Sequence, residues 1–213
     1  MYKKIVEEVQ TFAEPEFAKW IKPFLNITKD SKEIILGVRT PKLRSLAKKY
    51  KNISYSDLNK LLCNNIHELR ALAIFIMLLK TRKEPTQICK LYLKNLEYIN
   101  NWDLIDYSAP HIVGPNISKE KLRELADSDY LWANRVAMIS TYFYIKQNDF
   151  QLAIEFARKF MKHKHHLMHK AAGWMLREIG KRDEKLLIKF LDRYSPEMPS
   201  IMRSYARERL RKA

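Results

Sequence analysis

Basic residues that open a small-residue helical run recur along this chain at nearly constant spacing: Arg70-Ala71-Leu72-Ala73, Arg135-Val136-Ala137, Lys170-Ala171-Ala172 and Arg203-Ser204-Tyr205-Ala206. The intervals are 35 residues from 135 to 170, 33 from 170 to 203, and 65, close to two periods, from 70 to 135; Arg39 stands 31 before Arg70. A period in the low thirties with two helices per unit marks an α-solenoid, in which no unit buries its apolar face alone and stacked helix pairs share one core. The competing reading is a helical bundle with coincidental spacings. The repeat reading predicts an all-α fold forming one domain over residues 1–213, with a concave binding face.

Local signals agree. Only four glycines occur (Gly37, Gly114, Gly173, Gly180), and apolar residues recur at i, i+3, i+4 and i+7 rather than alternating. Proline marks helix starts at Glu14-Pro15, Thr40-Pro41, Glu84-Pro85 and Met198-Pro199, where a first turn tolerates its missing N–H, and Thr40 is expected to cap its helix. Further starts are expected at Ser56-Asp57, Asn101, Ser118, Asp129, Asp149 and Asp183, where a side-chain acceptor precedes apolar periodicity. Together they predict roughly a dozen helices with short connections.

The charge balance narrows the partner. With 40 Lys+Arg against 24 Asp+Glu the chain carries a formal +16, which attracts polyanions, nucleic acid foremost. Residues 158–213 hold 16 of the bases and six of the acids, so +10 of the total falls in this last stretch, the density of a phosphate-contacting surface or of a merely solvated helical face. Two cysteines, Cys63 and Cys89, are too few for a disulfide framework, the opening MYKKIVEEVQTFAEPEF lacks the apolar core of a signal peptide, and the apolar run from Ala71 to Leu79 is too short to span a bilayer. The expectation is a soluble cytoplasmic protein. His165 and His169 are four apart, but the residues between them lack the glutamate of a zinc-protease helix, and no Gly-rich phosphate loop or Cys-x-x-Cys occurs; no metal and no cofactor are expected.

In such a cationic chain, Asn100–Pro115 (NNWDLIDYSAPHIVGP) places Trp102 and Asp106 at i and i+4, on one face of a helix that Pro110 and Gly114-Pro115 should end. Trp132 with Arg135, and Trp174 with Lys170 and Arg177, repeat the pairing of an indole with an ionic neighbour on successive units. Equivalent helices lining one face would bring these rings, Asp106 and Arg135 to one bound strand. Core packing is the alternative for any single tryptophan, and a salt bridge for Asp106.

NNWDLIDYSAPHIVG, LWANRVAM and HKAAGWMLREIG, at these separations, resemble the signatures of the AlkD-type DNA alkylation-repair glycosylases, a family of HEAT-like helical repeats; GVRTPKLRSLAKKY and HELRALAIFIML resemble its earlier repeats, so the likeness spans roughly residues 30–210. The resemblance implies a monomeric, metal-free glycosylase that binds double-stranded DNA and removes cationic N3- and N7-alkylated purines. It implies Asp106 as the catalytic carboxylate, Trp102 and Trp174 as aromatic walls, and Arg135 as a phosphate contact; Lys170 and Arg177, one turn either side of Trp174, are by their spacing further DNA-binding candidates. An N-terminal site aromatic of characterised relatives has no counterpart in a matching motif, although Phe24 and Tyr50 flank the region. The other readings are a non-catalytic α-solenoid gripping nucleic acid through its basic face, and a protein-binding scaffold.

Overall fold

The computed structural model describes residues 1–25, 27 and 31–210; Arg211 and Lys212, counted in the C-terminal charge, lie outside them. Among the described residues the regular structure is helical apart from one isolated parallel bridge, Ile34 with Ile66. The chain divides into two compact units, Met1–Ser108 and Ala109–Ala213.

The first unit contains α1 (Tyr2–Gln10), α2 (Pro15–Ile21) running into a 3₁₀ turn (Lys22–Phe24), α3 (Thr40–Lys49), α4 (Tyr55–Leu62), α5 (His67–Lys80), α6 (Pro85–Lys94), a second 3₁₀ turn (Leu96–Tyr98) and α7 (Trp102–Asp106). Its centre is α5, buried on most sides because α1, α3, α4, α6 and α7 pack on it and apolar from Leu72 to Leu79; Leu69, Leu72, Ala73, Ile76 and Met77 are fully buried. Residues 33–37 lie against its N-terminal end. The Ile34 N–H donates to the Asn65 carbonyl and the His67 N–H to the Ile34 carbonyl, both at 2.9 Å. The buried Glu68 carboxylate accepts from the N–H groups of Leu36 (3.0 Å) and Gly37 (2.7 Å). Gly37 turns here with φ +82°, and a Cβ would stand 2.2 Å from the Glu14 carbonyl, so glycine is required on both counts.

The second unit contains α8 (Ala109–Ile112), α9 (Lys119–Asp127), α10 (Leu131–Ser140), α11 (Tyr142–Ile145), α12 (Gln151–Phe160), α13 (His166–Gly180), α14 (Glu184–Tyr194) and α15 (Ser200–Arg207). Arg135, Lys170 and Arg203 occupy the fourth or fifth position of α10, α13 and α15, as Arg70 does in α5, so the period read from the sequence is that of equivalent helices. Polar contacts repeat it: Lys119–Asp149, Arg123–Glu155, Lys159–Asp127, Arg135–Leu167 carbonyl and Arg177–Glu208 join residues 30 to 32 apart. Arg70 and Asn100, 30 apart, do the same in the first unit.

Several helix starts differ from expectation. Ser54, not Ser56, caps α4 by accepting from the Asp57 N–H, because Tyr55 already has helical geometry. Thr40 is the first helical residue of α3 and makes no cap. Pro199 is the N-cap of α15 rather than a residue of its first turn. α10 and α12 begin two residues after Asp129 and Asp149 without a side-chain cap, Asp149 being paired instead with Lys119. Asn101, Ser118 and Asp183 cap as expected. No helix among the described residues is long and apolar enough to cross a membrane.

α15 lies close against α13 at Gly173, where a Cβ would fall 2.5 Å from the Met202 carbonyl oxygen and 2.7 Å from the Tyr205 Cβ. Because the obstacle is backbone, Gly173→Ala is expected to lower stability by about 1–3 kcal/mol despite the higher helix propensity of alanine. In Gly180→Ala the methyl meets only the flexible Leu187 side chain. Thermal unfolding of both variants checks the prediction, which requires the larger loss at Gly173.

Candidate functional site

The shortest element of the first unit's α-helices carries its most distinctive pair. α7 begins where the Asn101 side chain accepts from the Trp102 N–H (2.9 Å), and its end is consolidated by Ser108, whose hydroxyl donates to the Leu104 carbonyl (2.6 Å). The helix therefore stops at Asp106 before any proline; Pro110, expected to end it, lies in the first turn of α8. Leu104 and Ile105 enter the core, while Trp102 and Asp106, one turn apart, are both half-buried. The Trp102 indole N–H donates to the Phe24 carbonyl (2.9 Å). With that donor spent, what the ring offers a ligand is its π face.

Phe24 thus reaches Trp102, and it brings two more rings. Phe17 stacks on Trp20 (centroids 5.5 Å apart) and Trp20 meets Phe24 at a tilt (5.2 Å), and Trp20 and Phe24 are 60% and 58% exposed. Tyr50 is different: it is buried, and its hydroxyl donates to Glu8. The signal for the first group is present in PEFAKWIKPF, whose aromatics fall at i, i+3 and i+7, but exposure cannot be read from spacing. On α3, the Arg44 guanidinium lies over Phe75 (4.5 Å) and over Tyr107 (5.1 Å), the residue after Asp106. Arg44 has no carboxylate partner among the described residues, whereas Arg39 and Lys49 on the same helix pair with Glu14 and Glu8. A stacked guanidinium with unused donors is prepared for an anion. A mostly apolar cavity of about 200 Å³ opens among Phe17, Leu25, Leu43, Phe75, Trp102 and Asp103.

Beneath this surface lies a charged cluster that the sequence reading missed. His67, 5% exposed, has Nδ1 2.7 Å from Glu33 Oε1 and Nε2 2.7 Å from Asp103 Oδ2. Arg70, one turn on, pairs with Glu33 and donates to Asn100 Oδ1 (2.7 Å) and the Tyr98 carbonyl (3.3 Å). Burial pushes the His67 pKa down, but the Asp103 and Glu33 carboxylates outweigh it and raise it to about 9. Burial pushes Glu33 up, and its hydrogen bonds to His67 and Arg70 bring it below the usual carboxylate range.

The second unit holds the remaining candidates. Lys170, Trp174 and Arg177 project from α13, and Arg135 lies on α10, which packs against it. The Trp174 indole N–H donates to Glu178 Oε1 (3.0 Å), an oxygen that also accepts from Lys181 Nζ (2.6 Å). Arg177 pairs with Glu208, so part of its charge is answered within the protein, whereas Lys170 is half-buried with no carboxylate partner among the described residues. Arg135 is 4% exposed and donates to the Leu167 carbonyl at 2.7 Å. Its neighbour Trp132 is buried in the core. Among the described residues no group of three or more His, Cys, Asp or Glu side chains is placed to hold a metal ion.

Comparison with known proteins agrees with this architecture. The model of a family described as DNA alkylation repair enzyme matches residues 5–210. The structure is similar to a predicted DNA alkylation repair enzyme from Enterococcus faecalis, with a TM-score of 0.68 and 15% identity over 94% of this chain and 98% of that one. It is also similar to AlkD2 from Streptococcus mutans, with a TM-score of 0.62 and 17% identity over the whole of both chains. At such identities these structures share the fold. A comparison with curated proteins returns no match.

The His67 cluster predicts a pH dependence of stability. A folded-state pKa raised from 6.5 to about 9 contributes stability that is complete below the unfolded value and lost as pH rises through about 9, of order 3 kcal/mol in total. Urea denaturation at pH 6.5, 8 and 10 is expected to show a falling midpoint, and the fall should be smaller in His67→Gln.

Proposed function

The chain belongs to the DNA alkylation repair enzyme family, and from that premise we propose that it is a glycosylase hydrolysing the N-glycosidic bond of cationic N3- and N7-alkylated purines in duplex DNA, with Asp106 as its catalytic carboxylate. The observation that carries this reading is the pairing of Asp106 with Trp102 on one short helix whose indole N–H is already engaged by Phe24. Alkylation at N3 or N7 places a positive charge on the purine, so the base departs neutral and needs no general acid. The sugar left behind has oxocarbenium character. A carboxylate beside it stabilises that charge and orients the attacking water, so one aspartate does the work that two carboxylates share in ordinary glycoside hydrolysis. An indole face adds cation–π attraction of roughly 0.5–2 kcal/mol toward the cationic base or the developing sugar cation. The part gained only as charge develops on the sugar lowers the barrier.

The formal +16 supplies the attraction to duplex DNA. Arg44, held by Phe75 and Tyr107 next to the Asp106 helix, and Lys170 on α13 are two cations without a carboxylate partner among the described residues, one in each unit. In the second unit, Trp174 is the aromatic residue that the family resemblance assigns to the lesion. Trp20 and Phe24 take the place of the N-terminal aromatic for which the sequence motifs offered no counterpart.

One observation favours a second reading. Arg135, to which the family resemblance gives a phosphate, is buried and donates to the Leu167 carbonyl. A protein that binds damaged duplex without excising the base would need neither a free Arg135 nor Asp106. Asp106→Asn separates the readings. Under the glycosylase reading, duplex affinity stays within about twofold while single-turnover excision falls by at least about 10²-fold. Equal excision by parent and variant would remove Asp106 from the chemistry.

A further inference from the structure

We propose that His67 is the positioning residue of this site: held between Glu33 and Asp103, it locks the Trp102–Asp106 helix in the orientation in which both side chains are presented together. The inference rests on the reading of Asp106 given above, and it identifies what makes so short a helix a precise platform.

A five-residue helix cannot hold itself, because nucleating a turn fixes more backbone than one turn of hydrogen bonds repays. α7 must be held from outside: the Trp102 indole N–H is bound by the Phe24 carbonyl, and two further polar anchors come from the N-terminal turn of α5. Arg70 grips the segment just before α7 through Asn100 and Tyr98, and His67 grips α7 itself through Asp103. Leu104 and Ile105 secure the opposite side by burial, and Tyr107 meets the Phe75 ring edge-on at 6.1 Å. The anchor is itself anchored. Glu33 adjoins the Ile34–Ile66 bridge, and Glu68 fixes the next turn through the Leu36 and Gly37 N–H groups.

The geometry dictates the charge of the ring. Ionised carboxylates only accept, and one stands 2.7 Å from each imidazole nitrogen, so both nitrogens must donate. Only imidazolium does so. The groups facing it are Glu33 from the 33–37 segment and Asp103 from α7, with Arg70 and Glu68 on its own helix. They are not equivalent on deprotonation. Glu33 is deeply buried and tied to Arg70, whereas the Asp103 side chain is 25% exposed. The remaining proton therefore stays on Nδ1 toward Glu33, the bare Nε2 lone pair confronts Asp103, and α7 is the element released.

The test uses the full chain and follows three signals against pH: the His67 ring by NMR, the Trp102 indole N–H resonance, and single-turnover release of 3-methyladenine from methylated duplex DNA. In the parent, the Trp102 resonance and the excision rate are expected to change together as His67 loses its proton near pH 9. The near-isosteric Asp103→Asn is expected to move all three to a pH at least about one unit lower. It should also reduce excision at pH 7.5 by about 10- to 100-fold, the effect of a small misplacement of a catalytic group, with duplex affinity changed less than about threefold. His67→Gln should show the same loss of rate with no high-pH limb. A Trp102 resonance that stays still while His67 titrates would overturn the proposal, as would an excision limb at the same pH in parent and Asp103→Asn. If the parent excises nothing while Trp102 moves with His67, the positioning role stands and the glycosylase reading fails.

Discussion

A buried imidazolium between two carboxylates is the interaction on which the first unit's surface depends. Burying any one of the charges of Glu33, His67, Arg70 or Asp103 alone would cost several kcal/mol, and the geometry answers each with an opposite partner. Such a cluster is not a cheap route to stability, since apolar packing of the same volume would serve as well or better. Its value is directional. Leucine in place of His67 would fill space but would not specify where Asp103 stands, and Asp103 sits between the two residues of α7 on which the proposed chemistry depends.

The same logic recurs more weakly in the second unit. There the buried Glu178 collects the Trp174 indole N–H and the Lys181 ammonium on one oxygen, and Arg177 reaches across to Glu208 on the chain that follows α15. Both tryptophans proposed as aromatic walls thus have their single donor occupied, Trp102 by a carbonyl and Trp174 by a carboxylate. In each case the polar edge is fixed within the protein, and stacking and cation–π attraction are what the rings have left to offer. This is the behaviour expected of surfaces that meet a planar cationic base rather than hydrogen-bond its edge.

Much of this was legible in the sequence because it is local. The low-thirties period predicted equivalent helices, and Arg70, Arg135, Lys170 and Arg203 fall at matching positions in α5, α10, α13 and α15. Capping by Asn101, Ser118 and Asp183 follows from one side chain and the turn after it. What escaped depends on contacts distant along the chain. Glu33, His67, Arg70, Asn100 and Asp103 lie up to 70 positions apart, and no periodicity marks a histidine that will meet two carboxylates. The exposure of Trp20 and Phe24 cannot be read from the spacing of aromatics in PEFAKWIKPF. The burial of Arg135 is equally hidden in the sequence: it stands next to a tryptophan in a basic repeat, and it lies inside, donating to a carbonyl 32 residues ahead. Ser54 displaced Ser56 as a cap because one tyrosine entered the helix early, a choice that local propensity barely distinguishes.

The proposed hydrolysis of glycosidic bonds is measured most directly through the free base itself. Duplex DNA methylated to carry 7-methylguanine and 3-methyladenine, incubated with the full chain and analysed by mass spectrometry, is expected to release both bases and leave abasic sites in unbroken strands, because the proposed hydrolysis uses a carboxylate and water and no lysine nucleophile. Salt-sensitive binding to the same duplex with no free base at any enzyme concentration would contradict the account and leave a DNA-binding helical repeat protein without this chemistry.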